Sequence, residues 1–129
     1  QLRKRPIKGK WSALELLAHL ADCEQVYADR IKRLLAMNHP LVMEFSENCY
    51  VQHLAYQHRD PELELAHVAL IRQQMVLILR QQPVEAFDRT GVHNRAGVIT
   101  VRGLLQGAHR HLAHHLEHLH AKRRALGVR

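Results

Sequence analysis

Between Ser12 and Met37 apolar residues recur at three- and four-residue steps, which is the period of an α-helix with one buried face. Ser12 and Glu15 have the spacing of a capping box, in which the hydroxyl and the carboxylate bond to free amides of the first turn. The pattern predicts a long helix that has to bury a continuous apolar stripe against neighbouring helices. The stripe contains Leu16, Leu20, Cys23, Tyr27, Ile31 and Leu34.

The composition also favours helix packed on helix. Apolar residues make up 47% of the chain and charged residues 24%, as in an ordinary globular protein, whereas aromatic residues contribute only 5%. Leu and Ala, which form helices readily, are abundant, and this mixture suits a sheet less well. With 129 residues the chain can bury one core, so we predict a single all-α domain over residues 1–129.

Residues that typically begin or end helices predict two further long helices. Asp60 before a proline marks the start of the second, which reaches Gln82, and its apolar centre at Met75–Leu79 is predicted to be the most enclosed segment. Thr100 can cap the third, which Gly127 ends. Its predicted buried side contains Leu104, Leu105, Ala108, Leu112 and Leu119.

The remaining segments are less regular. Gln1–Lys10 is basic, contains proline and glycine, and is predicted to be an extended lead-in loop. Ser46–His58 is interpreted as a short irregular helix, and residues 89–100 as a loop with two glycines and no helical period. The sequence therefore predicts an up-down bundle of three long helices and one short one.

The net charge of +7 is concentrated near the two ends of the chain. No aromatic residues are interleaved with the basic ones, and the spacings of helix-turn-helix and zinc-finger motifs are absent from the sequence. We interpret the ends as solvated and do not expect nucleic-acid binding. The residues are Arg3, Lys4, Arg5, Lys8, Lys10, Lys122, Arg123, Arg124 and Arg129.

Cys23 and Cys49 are the only cysteines. The sequence shows no signal peptide and no apolar run long enough to span a bilayer, so we expect a reduced, cytoplasmic protein without membrane contact. Both thiols are interpreted as small buried hydrophobes. Asp22 and Glu24 are interpreted as solvated charges on the first helix.

Six histidines lie within the fifteen residues 107–121 of the last predicted helix. His111 and His115 are four apart and therefore share a face. With about 100° per residue, His115 falls within about 40° of the centre of the apolar stripe, with His111 on its flank and His118 slightly further round. In the loop 89–100, His93 could reach the rim of a pocket. Seven further histidines are assigned to the surface or to loops: His39, His53, His58, His67, His109, His114 and His120.

His19 likewise flanks the apolar stripe of the first long helix, so it could meet His111 and His115 where two bundle helices face each other. Neutral imidazoles suit zinc, nickel, copper or iron better than magnesium or calcium. Three ligands leave a coordination position open for catalysis, whereas Cys23, one turn after His19, could close the site as a fourth ligand and make it structural.

Four segments together resemble the DinB/YfiT-like family of metal-binding four-helix proteins. In that family the metal ligands are a histidine of the W-S-x-x-E-x-x-x-H helix and an H-x-x-x-H pair of the last helix, which correspond here to His19, His111 and His115. The segments are GKWSALELLAHLADCE (9–24), AYQHRDP (55–61), RTGVHNRAGVIT (89–100) and HRHLAHHLEHL (109–119).

The chain departs from the family pattern in two places. Relatives begin with another long helix, which this sequence is expected to lack, either through truncation or because a partner subunit fills the groove, as in a homodimer. Where relatives often carry glutamine, this chain has His118. Its ring could orient a bound water, act as an acid or base, or compete as a ligand.

The resemblance implies a divalent metal, zinc or nickel, and a small-molecule substrate. Its characterised members include transferases and isomerases that use low-molecular-weight thiols such as bacillithiol or mycothiol, and others are described as metal-dependent hydrolases. We therefore predict metal-dependent thiol S-transfer at His19, His111 and His115. Metal-assisted hydrolysis and a non-catalytic, metal-stabilised dimer are the alternatives.

Overall fold

A computed structural model describes residues 1–128 of the chain. It confirms the all-α class and the set of three long helices with one short helix. Two 3₁₀ turns, at Tyr56–His58 and Val84–Asp88, and a small sheet connect the helices. The elements are α1 (Ala13–Ala36), β1 (Leu41–Val42), α2 (Glu47–His53), α3 (Pro61–Arg80), β2 (Thr90–His93), β3 (Gly97–Thr100) and α4 (Val101–Ala125).

The helices begin where the capping residues predict. The amide of Glu15 donates to Ser12 Oγ at 3.1 Å, and the amide of Ser12 donates to Glu15 Oε2 at 2.7 Å, so the capping box of α1 is complete. Asp60 Oδ1 accepts the amide of the second residue of α3 at 2.9 Å. Thr100 Oγ1 accepts an amide of the first turn of α4 at 3.0 Å.

Helix α1 forms the centre of the fold because both other long helices pack against it. Its carboxy-terminal half joins α3, α4 and the sheet in one apolar core, in which Leu34 and Val101 are fully buried. This core holds α1 against α4 at the end of their contact that is remote from His19. Its buried members are Ala28, Ile31, Leu34, Val42, Met75, Val101 and Leu104.

The prediction that Met75–Leu79 is the most enclosed segment is wrong. Met75 is buried, but Val76 is 44% exposed and Leu77 66% exposed, because α3 packs through one face only. Leu119 of α4, predicted on the buried side, is also 36% exposed. Within residues 1–128, no helix combines the length and the apolar character needed to cross a membrane.

Residues 89–100, predicted to be a loop, instead form a hairpin of β2 and β3, with β1 parallel to β2. The valines, isoleucine and threonine of the segment suit strands, and Gly97 turns the chain with a φ of +76°. Gly91 is required on β2, since a Cβ there would lie 2.7 Å from Leu34 Cδ1 and 2.9 Å from the carbonyl oxygen of Pro40.

Asp22 was predicted to be a solvated charge, and this is wrong. It is buried and accepts hydrogen bonds from Tyr56 Oη at 2.6 Å and from both terminal nitrogens of Arg59 at 2.8 and 2.9 Å. Arg59 also donates to Glu64 at 2.7 and 2.8 Å. The sequence did not reveal this network because its partners lie 34 or more residues away from Asp22 along the chain.

Two other side chains of this region also differ from expectation. Glu24 forms an ion pair with Arg72 of α3 and is half-buried, so it is not simply solvated. Cys49 is exposed, unlike Cys23, because no residue of the short helix α2 is buried. Only Cys23 is therefore the small buried hydrophobe that was predicted for both.

The lead-in segment has no helix, as predicted, but it is tied to the start of α1. The carbonyl of Leu2 accepts the amide of Leu14 at 3.0 Å, and Arg5 forms an ion pair with the buried Glu15. Burial by itself would raise the pKa of the Glu15 carboxyl. Hydrogen bonds from Arg5 and Ser12 outweigh it and lower this pKa to about 2. The ionised carboxylate therefore joins the capping box to the lead-in.

Replacing Glu15 with glutamine should make unfolding less sensitive to acid. Because the folded pKa of about 2 lies below the ordinary value of 4.5, the carboxylate stabilises the fold fully above pH 4.5 and this contribution is lost as the pH falls towards 2. Glutamine can keep the capping box but not the charge. Urea denaturation from pH 5 to 2.5 should show a flatter decline for the variant; parallel declines would contradict the assignment.

Replacing Arg59 with glutamine should destabilise the protein strongly, because it leaves Asp22 and Glu64 buried without their cation. Breaking a buried ion pair on one side costs about 3–5 kcal/mol. The matched control is Arg33→Gln, which removes an exposed pair with Asp29 and should cost less than about 1 kcal/mol. Free energies of unfolding from urea titrations would measure both, and equal losses would refute the role of the network.

Candidate metal centre

Three histidines from the two longest helices meet in the interior. His19 lies on the face of α1 that packs against α4 and is fully buried. His111 and His115, one turn apart on α4, face it and are half-buried. The apolar core at the far end of α1 keeps the two helices in contact, so residues 92 or more positions apart in sequence come together.

The three Nε2 atoms form a nearly equilateral triangle. His19 Nε2 lies 3.1 Å from those of both His111 and His115, which are 3.0 Å from each other. Imidazole nitrogens bound tetrahedrally at about 2.0–2.1 Å from zinc would lie about 3.3–3.4 Å apart. Small adjustments of the rings would therefore let all three nitrogens reach one ion.

Burial in the helix interface favours the neutral form of these three imidazoles. Burial, assisted by the charge that His111 would carry, lowers the pKa of His19 to about 4. Burial and the neighbouring histidines lower the pKa of His115 to about 3. Burial also lowers the pKa of His111. Since metals bind the deprotonated ring, the site needs to release no proton from imidazole when it takes up an ion near pH 7.

One polar atom in the centre lacks a partner. The Nδ1 atom of His115 is buried and has no hydrogen bond among the residues described. The ring is held instead by edge contacts, with centroids 4.4 Å from His111 and 4.7 Å from His19. An ion bound at Nε2 would place the proton of the neutral ring on Nδ1, where the described residues offer no acceptor. The fit to a divalent ion therefore rests on the three Nε2 donors and their spacing.

Cys23 lies beside the triangle, one turn after His19. Its Sγ atom is 3.5 Å from His19 Nε2 and 3.8 Å from His111 Nε2. Burial, and secondarily the charge of Glu47, raise the pKa of the Cys23 thiol to about 12. His19, Cys23 and His111 therefore form a second set of closely spaced potential ligands, but the cysteine would have to lose a strongly held proton.

A cavity of about 270 Å³ opens beside the triangle, and His115 lines it. His118 stands at its edge, outside the triangle, with its Nε2 3.1 Å from that of His114. Burial and the nearby His114 lower the pKa of His118. The other lining residues are Gly9, Lys10, Trp11, Leu16, Glu47, Asn48 and Lys122. A larger cavity of about 560 Å³ adjoins β1 and α1 but contains none of the three central histidines.

The histidines assigned to the surface or to loops are exposed except His67, which is half-buried, as is His93 of β2. Sequence reasoning missed Trp11, Glu47, Asn48 and Lys122 as cavity residues. For Lys122 a signal existed, since it follows His115 by seven residues and so lies two helical turns further along the same face. Glu47 and Asn48 lie on α2, whose position depends on tertiary contacts, and no sequence pattern predicts that position.

The fold and site define a helical-bundle protein with a preformed centre of three imidazoles beside a small cavity. The family model of the DinB superfamily matches residues 1–119, and the chain belongs to this superfamily. No curated protein matches its sequence.

One similar solved structure is YfiT from Bacillus subtilis, described as a probable metal-dependent hydrolase with an unusual four-helix bundle topology. The two structures superpose with a TM-score of 0.92 at 24% sequence identity. The match covers 100% of this chain and 74% of the YfiT chain. At this identity the similarity establishes the fold.

Proposed function

We propose that the protein is a metal-dependent enzyme in which His19, His111 and His115 hold one divalent ion, zinc or nickel. Support comes above all from the triangle of Nε2 atoms with sides of 3.0–3.1 Å. Borderline nitrogen donors of this kind select first-row transition metals over magnesium or calcium. Three protein ligands also leave room for a substrate.

The proposed reaction is S-transfer from a low-molecular-weight thiol to a small electrophile. When bound, a divalent ion lowers the pKa of a thiol or water that coordinates it. The thiol sulfur forms a bond to an electrophilic carbon of the substrate, the bond to the leaving group breaks, and the thiol proton passes to His118. The cavity of about 270 Å³ suits a small substrate.

His118 is proposed as the proton acceptor because it lines the same cavity as His115. Burial first and the nearby His114 second lower its pKa, which favours the neutral ring that can take a proton. Trp11 and Leu16 form the apolar part of the wall and limit access of water to the reacting sulfur.

Hydrolysis is the second candidate, and it is favoured by the description of YfiT as a probable metal-dependent hydrolase. In that case His118 would accept a proton from water. A non-catalytic, metal-stabilised dimer is the third. It is supported by the position of Cys23 Sγ, 3.5 Å from His19 Nε2, and by the exposed apolar face of α3, which could pack against a second copy.

Metal uptake tests the site directly. Protein without an affinity tag should bind about one equivalent of zinc or nickel that survives a weak chelator, and His111→Ala should lose it because only two imidazoles remain. His109→Ala is the matched control, since this histidine lies on the same helix but is exposed. Elemental analysis after gel filtration measures both. Unchanged metal content in His111→Ala would rule out the proposed ligand set.

Dependence on thiol separates the two enzymatic candidates. Metal-loaded protein should accelerate the reaction of chlorodinitrobenzene with bacillithiol or 2-mercaptoethanol, followed by absorbance. Replacing His118 with glutamine should lower kcat by about 10²–10⁴ and remove the pH dependence due to its ring. His120→Gln serves as control, since this histidine lies on the same helix, is exposed and does not line the cavity. Hydrolysis would be favoured instead if the protein cleaved p-nitrophenyl acetate without any thiol and did not accelerate the reaction of thiol with chlorodinitrobenzene.

A further inference from the structure

Lys122 differs from the other basic residues near the ends of the chain because it is buried. It lies in the last turn of α4 and only 4% of its surface is exposed. Together with Lys10, Trp11 and His115 it lines the cavity beside the imidazole triangle. Among residues 1–128, no carboxylate forms an ion pair or hydrogen bond with its ammonium group.

Lysine is rarely this buried unless its charge is paired. In lysine the hydrocarbon stem can account for the burial, and the Lys122 ammonium is not among the fully buried polar atoms that lack a partner. Burial, and secondarily the charge of Lys10, lower the pKa of Lys122. The carboxy-terminal end of α4 compensates part of this cost, because helix carbonyls favour cations. It does not compensate for the presence of a second cation at the same cavity.

The other charged group of the cavity wall is Glu47, in the first turn of α2. It is exposed and lies outside ion-pair distance of both lysines in the described part of the chain. Asn48, next to it, adds an amide that can donate a hydrogen bond. The cavity wall therefore carries two ammonium groups against one carboxylate, with an amide donor beside them, and the excess positive charge favours an anion.

We propose that Lys122 and Lys10 bind a carboxylate of the substrate or of its thiol co-substrate. This inference rests on the proposed function, because it assigns a charge to the molecule that enters the cavity beside His115. The lysines would hold the carboxylate at one end of the cavity while the reacting sulfur lies at the imidazole triangle. Neutral thiols of the same size would lack this contact.

Trp11 supplies a local reporter, since it is the only tryptophan and lines the cavity. Zinc-loaded protein would be titrated with 3-mercaptopropionate, which is anionic, and with 2-mercaptoethanol, which is neutral. We expect the anionic thiol to change Trp11 fluorescence with a Kd at least about tenfold lower, because charge-assisted hydrogen bonds are the stronger ones. Added salt should reduce the difference.

Variants then assign the preference to particular residues. Lys122→Gln and, separately, Lys10→Gln should reduce it to less than about threefold, and Lys122→Arg should retain it because the charge is kept. Lys8→Gln is the matched control, an exposed lysine two residues from Lys10 that does not line the cavity. Lys10 is exposed, so its variant tests the inference even if Lys122→Gln is poorly folded by circular dichroism.

The outcomes separate the anion site from the proposed function. Equal affinity for both thiols in the wild-type protein, or a preference that survives both lysine substitutions, would overturn the anion site. If neither thiol changes the fluorescence, S-transfer is refuted, and propionate titrated into metal-free protein then tests the lysines alone. Propionate binding that Lys10→Gln and Lys122→Gln weaken would support the anion site; binding that they leave unchanged, or none, would overturn it.

Discussion

The contact between α1 and α4 is the interaction on which the candidate site depends. It buries His19 completely and brings its Nε2 atom within 3.1 Å of two imidazoles on the opposite helix. Three such rings in water would titrate near pH 6.5. Their removal from solvent by helix packing favours the neutral form, so the same event that forms the bundle leaves the nitrogens in the state that a metal ion would bind.

The site lies between two regions that hold the helices in place. On one side, the apolar core around Ile31, Leu34 and Leu104 fixes α1 against α4. On the other, the capping box and its ion pair to Arg5 fix the start of α1. The imidazoles therefore do not have to stabilise the bundle themselves, and their unfavourable burial is tolerated because apolar packing and the ion pair stabilise both flanks.

Local patterns predicted much of this arrangement. The helical period and the caps located α1 and α4, and the four-residue spacing then selected His111 and His115, because these signals act within a few residues. The ion network of Asp22 depends on where distant segments pack. Lys122 shares a face of α4 with His115, but it becomes a cavity residue only where the lead-in segment and α2 supply the other wall. The hairpin of β2 and β3 was missed because only a helical period was sought, although its β-branched residues and Gly97 are local signals. Its close approach to Leu34 at Gly91 does depend on tertiary packing.

The ion pair between Asp22 and Arg59 has a consequence for the geometry of the bundle. Asp22 follows His19 by three residues, so both side chains project from the same turn of α1. Turning that helix by one residue would swing each side chain through about 100° and would break the bidentate contact with Arg59. The rotation of α1 about its axis is therefore held by the Arg59 contact as well as by the apolar core, so a guanidinium outside the imidazole centre helps to fix the direction of His19.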